Sequence, residues 1–532
     1  MFKTYFDSEN LFWLLSGLLF ILFSLLSFFV FKKHKTGVFL LVLGGFLVRI
    51  FMALLDPYVN MWDEQFHAVI AKNMLETSFF PMLFKEHAIP LAHGNWALDH
   101  IWLHKQPLYL WQIALSFKLL GINEFTLRLP DILMTTLIIV FIYRIGKITV
   151  NETAGFIAAF LFVLARFPLE MVSGSIATDH NDTAFLFYIS ASLWSCIEYF
   201  RSGKTYWLFF IGAFAGMAVL VKWVMGFLVF IGWGFVILSD KERRRLLRSY
   251  WQIALSFILS CCVFIPWQIF ILLKYPAESA FEYHETSNRL FEVSEGHEGP
   301  WWYYFDALHE HYGSGDLFPY IIGISFILLL FSVNKIYKVF FFASIVVVYG
   351  VFSFAATKMI CYTIIVCPIV FVGLGNLVEK IFAFFEQRLK QKMIYMFGVI
   401  AFMLAAGYLS LDIEQIQENH TTWKVKEHPY NFRELRMVDK KIYQMLPDTL
   451  GKGKWAIFYC RQFDNPMVMF YTDYTAYDFM PNEEQIAYAK KAGWKIAVFT
   501  DYKLPDFLKN DPEVKKIYEP VEKVYFQYFK GK

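Results

Sequence analysis

Apolar runs of roughly 17–22 residues, about the length an α-helix needs to cross a hydrocarbon layer, recur from Leu11 to Leu411 and then stop. They predict about twelve helical spans, at 11–31, 37–55, 129–148, 152–171, 180–199, 205–221, 223–238, 251–273, 317–333, 338–356, 360–376 and 393–411. Three long polar stretches remain, at 56–128, 274–316 and 412–532. Within the first, Pro107–Leu120 is apolar but only about 14 residues long, which predicts a juxtamembrane or re-entrant helix rather than a crossing. Beyond 412 the pattern changes to charged helical stretches around 432–445 and 483–491, with strand-like runs at 455–459, 467–471, 495–500 and 524–529. The expected fold is mainly α: a polytopic transmembrane helical bundle with a small C-terminal α/β domain. Residues 1–36 form an N-terminal transmembrane anchor, 37–411 the main membrane domain and 412–532 the soluble domain.

Basic residues lie just beyond apolar runs in short connections, at 32–35, Arg144 and Lys147, Arg201 and Lys204, 241–248, Lys335 and Lys338, and 388–392. Read as cytoplasmic, these clusters fit alternating spans and place the three long stretches and both termini outside. Treating Pro107–Leu120 as a span would invert every later loop and break that agreement. The composition agrees with a membrane protein: 57% of the 532 residues are hydrophobic and 20% aromatic, more than one soluble core can bury. The net charge of +3 does not suggest a nucleic-acid partner. The six cysteines fall mostly in predicted spans and form neither a disulfide framework nor a metal spacing. Residues 11–31 lack a small-residue cleavage site and read as a retained anchor.

Candidate chemistry gathers on the outer side, where all thirteen histidines except His34 fall. The run Met61-Trp62-Asp63-Glu64-Gln65-Phe66-His67 follows a span directly and continues in helical periodicity, so Asp63 and His67 share one helix face. A carboxylate held there can take a proton from a hydroxyl acceptor, and an aspartate at that position also suits a helix cap. His100 and His104 stand four apart, a spacing open to a metal, and Lys105 follows with phosphate-binding chemistry. Arg128, Asp179, Lys222 and Lys358 lie at outer span ends, where ionisable groups are costly. Snorkelling to headgroups competes with function for each lysine. The second outer loop carries His284, Arg289, His297, the aromatic run Gly299-Pro300-Trp301-Trp302-Tyr303-Tyr304, then His309 and His311. That run suits an interfacial belt, a sugar platform or both.

In order and spacing, several short elements resemble the bacterial branch of the protein O-mannosyltransferase superfamily, glycosyltransferase family 39, which includes the lipid A aminoarabinose transferases of the GT-C class. They are Asp63-Glu64, Lys105-Gln106-Pro107-Leu108-Tyr109, Gly121-Ile122-Asn123-Glu124-Phe125 with Arg128-Leu129-Pro130, Ala177-Thr178-Asp179, Val221-Lys222, the aromatic run from Gly299, and Thr357-Lys358 through Tyr362. The resemblance covers roughly 37–411. It implies a GT-C bundle, a polyprenyl-phosphate sugar donor, and Asp63, with Glu64, as the catalytic carboxylates. Lys105, Lys222, Arg289 and Lys358 are the candidate phosphate-compensating cations. His67, His104, Asp179, His284 and Tyr362 are candidate substrate contacts, and His104 with His284 a possible divalent-metal pair; no other cofactor is expected. The pattern departs from the family at Lys105-Gln106-Pro107, usually Lys-Pro-Pro, at His104, acidic in the aminoarabinose transferases, and at Met359-Ile360, where Leu-Pro is common. The expected location is the bacterial inner membrane with the site facing the periplasm, and the acceptor is open among lipid A, a surface glycan and a protein hydroxyl. A lipid-linked sugar flippase and a non-catalytic polyprenyl-lipid binder are the competing readings.

Overall fold

The protein is described by a computed structural model over residues 6–90, 94–175, 180–313, 315–389, 391–422, 431–460, 463–500 and 504–518. Helices α1 (Ser8–Leu25, continued by a π turn at Leu26–Val30) and α2 (His34–Leu54) form a hairpin. The first outer stretch carries α3 (Asp63–Asn73) and α4 (Pro107–Leu120). The bundle continues through α5 (Glu124–Thr149), α6 (Glu152–Val163), α7 (Arg166–Ser173), α8 (Asp182–Ser202), α9 (Tyr206–Lys222), α10 (Leu228–Ser239) and α11 (Leu247–Lys274). After α12 (Pro276–Asn288) in the second outer stretch come α13 (Phe318–Ser332), α14 (Lys335–Phe354), α15 (Cys367–Arg388, preceded by a 3-10 turn at Ile360–Val366) and α16 (Lys392–Leu411). Each of the twelve predicted spans therefore has a helical counterpart, and the chain is a multi-span membrane protein. Among the described residues seven helices are long and apolar enough to cross a membrane, and the α6–α7 pair makes an eighth.

The span expected at 152–171 is this bent pair, which turns by 47° between α6 and α7. The apolar run ends at Ala165, and Arg166 and Glu170 turn the next helix toward polar partners, pairing with each other at 3.3 Å. α4 is helical as expected and, at 14 residues, too short to cross. The basic clusters collect at one end of the bundle, where His34 reaches Glu152 at 3.0 Å and Lys335 donates to the Ser239 carbonyl at 3.2 Å. The outer stretches occupy the opposite end.

Small residues allow the helices to approach closely, the usual solution where lipid removes a hydrophobic drive between helices. A Cβ on Gly155 would lie 2.5 Å from the Tyr143 carbonyl oxygen and 2.6 Å from the Lys147 nitrogen, both backbone atoms of α5. On α1 and α2, Gly17 and Gly44 meet in the same way.

The C-terminal domain holds α17 (Phe432–Leu450), α18 (Asn465–Tyr471) and α19 (Glu483–Lys491) around a four-stranded sheet. Strands β1 (Trp455–Phe458), β2 (Thr475–Ala476), β3 (Lys495–Thr500) and β4 (Val514–Tyr518) are ordered β2-β1-β3-β4, and every pairing is parallel. The predicted strand at 467–471 is α18. Pro466 in its first turn favours a helix start, and an apolar run buried on all sides carries no period to separate helix from strand. The predicted strand at 524–529 lies outside the described residues.

Gly155→Leu is expected to destabilise the bundle by about 2 kcal/mol or more, since the neighbouring atoms are backbone and cannot yield. A detergent-solubilised variant melting at the wild-type temperature would refute this close contact.

Candidate active site

The site starts where α2 hands over to α3. Asp63 and Glu64 occupy the first turn of α3, where the helix dipole favours negative charge. Trp62 precedes them with φ +66°, a left-handed conformation rare for a bulky residue, and reverses the chain into the helix.

Glu64 is fully buried and bound by Arg128 from α5 through both carboxylate oxygens, at 2.7 and 2.9 Å. The same guanidinium donates to the carbonyls of Ala53, Asp56 and Tyr58 at 2.6–2.8 Å. All five of its N–H groups are thereby engaged. The Asn60 backbone N–H adds a 2.6 Å bond to Glu64.

Asp63 points the other way, and the Lys105 ammonium lies 3.4 Å from its carboxylate. Lys105 stands two residues before Pro107, the first residue of α4. The proline keeps Gln106 extended, at φ −72° and ψ 155°, and so fixes the approach of Lys105.

Lys105 lines a cavity of about 170 Å³ together with His104, Lys222, Arg289 and Tyr362. Lys222 sits at the break between α9 and a 3-10 turn, bonded to Asp182 at 2.6 Å, with its ammonium 5.0 Å from the Tyr362 ring centre. Arg289 lies 3.7 Å from Glu295. The remaining wall is largely apolar, with Phe185, Val221, Met225, Leu290 and Ile365. Three of the four predicted cations thus share one cavity.

The fourth, Lys358, does not line it. Its ammonium caps the C-terminal end of α14, donating to the carbonyls of Phe352 at 3.2 Å, Ser353 at 2.9 Å and Ala355. Phe352 and Ala355 form cavity wall, so Lys358 braces the wall from behind.

The histidines separate. His104 Nδ1 donates to Glu282 at 3.2 Å, and its ring stacks on Trp96. Burial and the adjacent Lys105 outweigh Glu282 and hold the imidazole below its ordinary pKa. His284 lies on the exposed side of α12 and bonds Asn288 at 3.0 Å, so it does not join His104. Among the described residues no group of three histidine, cysteine, aspartate or glutamate side chains is placed to hold a metal ion. His67 is fully buried, lines neither this cavity nor the one described next, and approaches His180 at 3.2 Å between Nδ1 atoms. His180 continues to Asp131 at 3.2 Å, which also accepts from Tyr109 at 2.6 Å. Sequence reasoning missed this relay and also Asp182 and Glu282; the cluster of polar residues from Asp179 to Asp182 was the available signal. Asp179 itself lies outside the described residues.

A second, polar cavity of about 650 Å³ lies on the other side of the α3 start, lined by Asp56, Asn60, Arg166, Glu170, Glu310 and Asp412 among others. Burial pushes the Asp56 carboxyl up, but His420 at 2.9 Å and the Arg128 charge more than offset this and hold it at about 2. Asn60 connects this cavity to Glu64, and Lys105 connects the first to Asp63.

Comparison with known proteins agrees with this architecture. Residues 104–270 match the dolichyl-phosphate-mannose-protein mannosyltransferase family. An uncharacterized protein of Aquifex aeolicus is 30% identical over 40% of this chain and 39% of its own length. An undecaprenyl phosphate-alpha-4-amino-4-deoxy-L-arabinose arabinosyl transferase of Pseudomonas savastanoi pv. phaseolicola is 24% identical over 52% of this chain and 49% of its own. The chain spans less than half the length of these curated relatives. ArnT from Cupriavidus metallidurans bound to undecaprenyl phosphate superposes with a TM-score of 0.60 at 14% identity, covering 86% of this chain and 88% of that one. The Archaeoglobus fulgidus oligosaccharyltransferase gives 0.57 at 11% identity, covering 86% and 65%. The chain has the GT-C fold of these membrane glycosyltransferases.

Arg128→Ala leaves Glu64 buried without its cation and is expected to cost about 3–5 kcal/mol, whereas Asp63→Asn, which only weakens the 3.4 Å approach to Lys105, should cost about 1 kcal/mol or less. Thermal unfolding in detergent separates the two, and equal melting temperatures would contradict the division.

Proposed function

We propose that the protein is a membrane glycosyltransferase that moves a sugar from a polyprenyl-phosphate donor to a hydroxyl acceptor, with Asp63 as general base. The observation that carries this is Lys105, which reaches Asp63 at 3.4 Å while lining a cavity whose wall also bears Lys222 and Arg289. Such a cavity suits a ligand with an anionic head and a hydrocarbon tail. The fold shared with an undecaprenyl-phosphate-bound ArnT, and the names of the curated relatives, support the same donor class.

In this reading the donor phosphate sits among Lys105, Lys222 and Arg289, and the prenyl chain runs along the apolar wall. The acceptor oxygen attacks the anomeric carbon from the face opposite the phosphate and gives its proton to Asp63. The bond from that carbon to the phosphate oxygen breaks, and polyprenyl phosphate departs with the electron pair. The leaving group is already a stable anion, so it requires compensating charge more than a proton. The anomeric centre inverts.

His104 and Tyr362, on the cavity wall, are assigned to substrate contact. Glu64 is assigned to holding the α3 start through Arg128, Lys358 to bracing the wall, and His67 to the buried relay. The second cavity is assigned to the acceptor, because the α3 start stands between the two. The site would face the periplasm of a bacterial inner membrane, consistent with basic clusters collected at the opposite end. The acceptor belongs to lipid A, a surface glycan or a protein.

The test follows label from a panel of radiolabelled polyprenyl-phosphate sugars in membranes carrying wild type or Asp63→Asn, with lipid, glycan and protein fractions separated afterwards. Wild type is expected to transfer label, and Asp63→Asn to lose about 100-fold or more of the rate while still binding donor. Equal transfer by both would remove Asp63 as base. Donor binding or movement across the membrane without transfer would establish a lipid-binding or transport protein instead.

Lys105→Ala is expected to weaken donor binding by roughly 10- to 100-fold, the scale of a charge-assisted hydrogen bond. Titration with polyprenyl phosphate alone measures this, and unchanged affinity would move the phosphate elsewhere.

A further inference from the structure

The segment that delivers Asp63 is held along its length by the C-terminal domain and the helix that opens it. Arg433 on α17 donates to the Leu55 carbonyl, and Lys440 to the Pro57 carbonyl at 2.7 Å. The Tyr471 hydroxyl at the end of α18 accepts from the Val59 N–H at 3.3 Å. Arg436, fully buried, donates to the Val59 carbonyl at 3.2 Å while its other terminal nitrogen binds Asp464 at 2.6 Å. Further along, the Trp62 ring lies 4.8 Å from that of Phe463, and the buried Gln65 amide donates to the Phe463 carbonyl. Lys72, in the last turn of α3, donates to the carbonyls of Met469 at 3.0 Å and Thr472 at 2.6 Å.

Two of these residues share an unusual backbone. Trp62 has φ +66° and Phe463 φ +62°, a region that large L side chains enter only when their surroundings hold them there. The Trp62 carbonyl accepts the first backbone bond of α3, from the Phe66 N–H at 3.5 Å, so its conformation and the helix start move together. Phe463 is anchored in its own domain, its N–H donating to Asp478 at 2.9 Å, on the segment that follows β2. The sheet is thus coupled to the residue immediately before Asp63.

We propose that the C-terminal domain is a positioning element of the transferase site. Phe463 holds Trp62 in its left-handed conformation and so sets the direction of the Asp63 carboxylate toward Lys105, with Arg436 fixing the loop ahead of it at Val59. This rests on the reading of Asp63 as the base. If Trp62 relaxes to an ordinary backbone conformation, the start of α3 swings and the carboxylate leaves its place, while the donor cavity, built from other elements, stays intact. The consequence is specific: turnover falls and donor affinity does not.

The experiment uses the full chain in membranes and measures transfer rate and polyprenyl-phosphate affinity for wild type, Phe463→Ala, Phe463→Tyr, Trp62→Gly and the Trp62→Gly/Phe463→Ala double variant. Phe463→Ala is expected to lower kcat by about 10- to 100-fold, the scale of a misplacement near 1 Å, with donor affinity within about 2-fold of wild type. Phe463→Tyr should restore most of the rate. Glycine adopts positive φ without help, so Phe463→Ala should cost far less in the Trp62→Gly background. Lys490→Ala, which breaks a surface pair with Asp511 in the same domain, should leave the rate unchanged.

Phe463→Ala transferring at the wild-type rate would overturn the proposal. So would parallel loss of transfer and donor binding without rescue by Phe463→Tyr, or an equal cost in the Trp62→Gly background. A wild type that transfers nothing to any acceptor would instead overturn the glycosyltransferase reading, and this one with it.

Discussion

Arg128 enters the bundle end from the first turns of α5 and spends its five N–H groups on Glu64 and on the carbonyls of Ala53, Asp56 and Tyr58. Those carbonyls belong to the last turn of α2 and the chain just beyond it, and the carboxylate belongs to α3. One desolvated cation therefore ties together three elements, beside the Arg49–Thr135 bond that also joins α2 to α5. A buried guanidinium carries a large desolvation cost unless its partners are already in place, so this pair favours a single arrangement of the loop. That arrangement fixes Glu64, while the direction of Asp63 depends further on Trp62, the residue that precedes both.

The two adjacent carboxylates consequently occupy different electrostatic settings although they share a helix turn. Glu64 is enclosed and satisfied by a delocalised cation in bidentate geometry. Asp63 meets a lysine, a compact charge on a flexible stem that can also turn to a ligand phosphate. In the proposed reaction, an anionic donor that draws Lys105 toward itself would leave Asp63 with less counter-charge, so the pair would link donor occupancy to the carboxylate without a change of the backbone.

The spans were legible because uninterrupted apolar runs can be counted, and their order survived in the structure down to short α4. The bend between α6 and α7 escaped because Arg166 and Glu170 find their polar partners through tertiary contacts. The convergence of Lys105, Lys222 and Arg289 was suggested by their positions at outer span ends, but nothing local revealed that the Lys358 ammonium turns back onto its own helix end. His284 was chosen as a partner for His104, and the structure uses Glu282. Two residues along an α-helix is about 200° around its axis, so the choice of one excludes the other. Glu64 and Arg128 are 64 positions apart, and His67 and His180 are 113 apart. No period or spacing in the chain can announce such pairs; they exist only once the bundle closes.

The distribution of charge through the bundle bears on whether its chemistry is one-sided. Arg49 stands five residues before the end of α2, and Arg128 and Asp131 four and seven residues after the start of α5. At 1.5 Å per residue these groups lie within about 11 Å of the helix ends that carry the outer loops, against a hydrocarbon layer of about 30 Å. Glu152, with Lys147 and His34, and Glu198, with Arg144, lie at the opposite end. A substrate path through the bilayer requires polar groups at intermediate depth. Here the ion pairs of the bundle among the described residues fall toward its two ends, and those at the end bearing the outer loops are the more deeply buried. That asymmetry favours chemistry at one surface over passage between two, and it is the same surface to which the C-terminal domain is fastened.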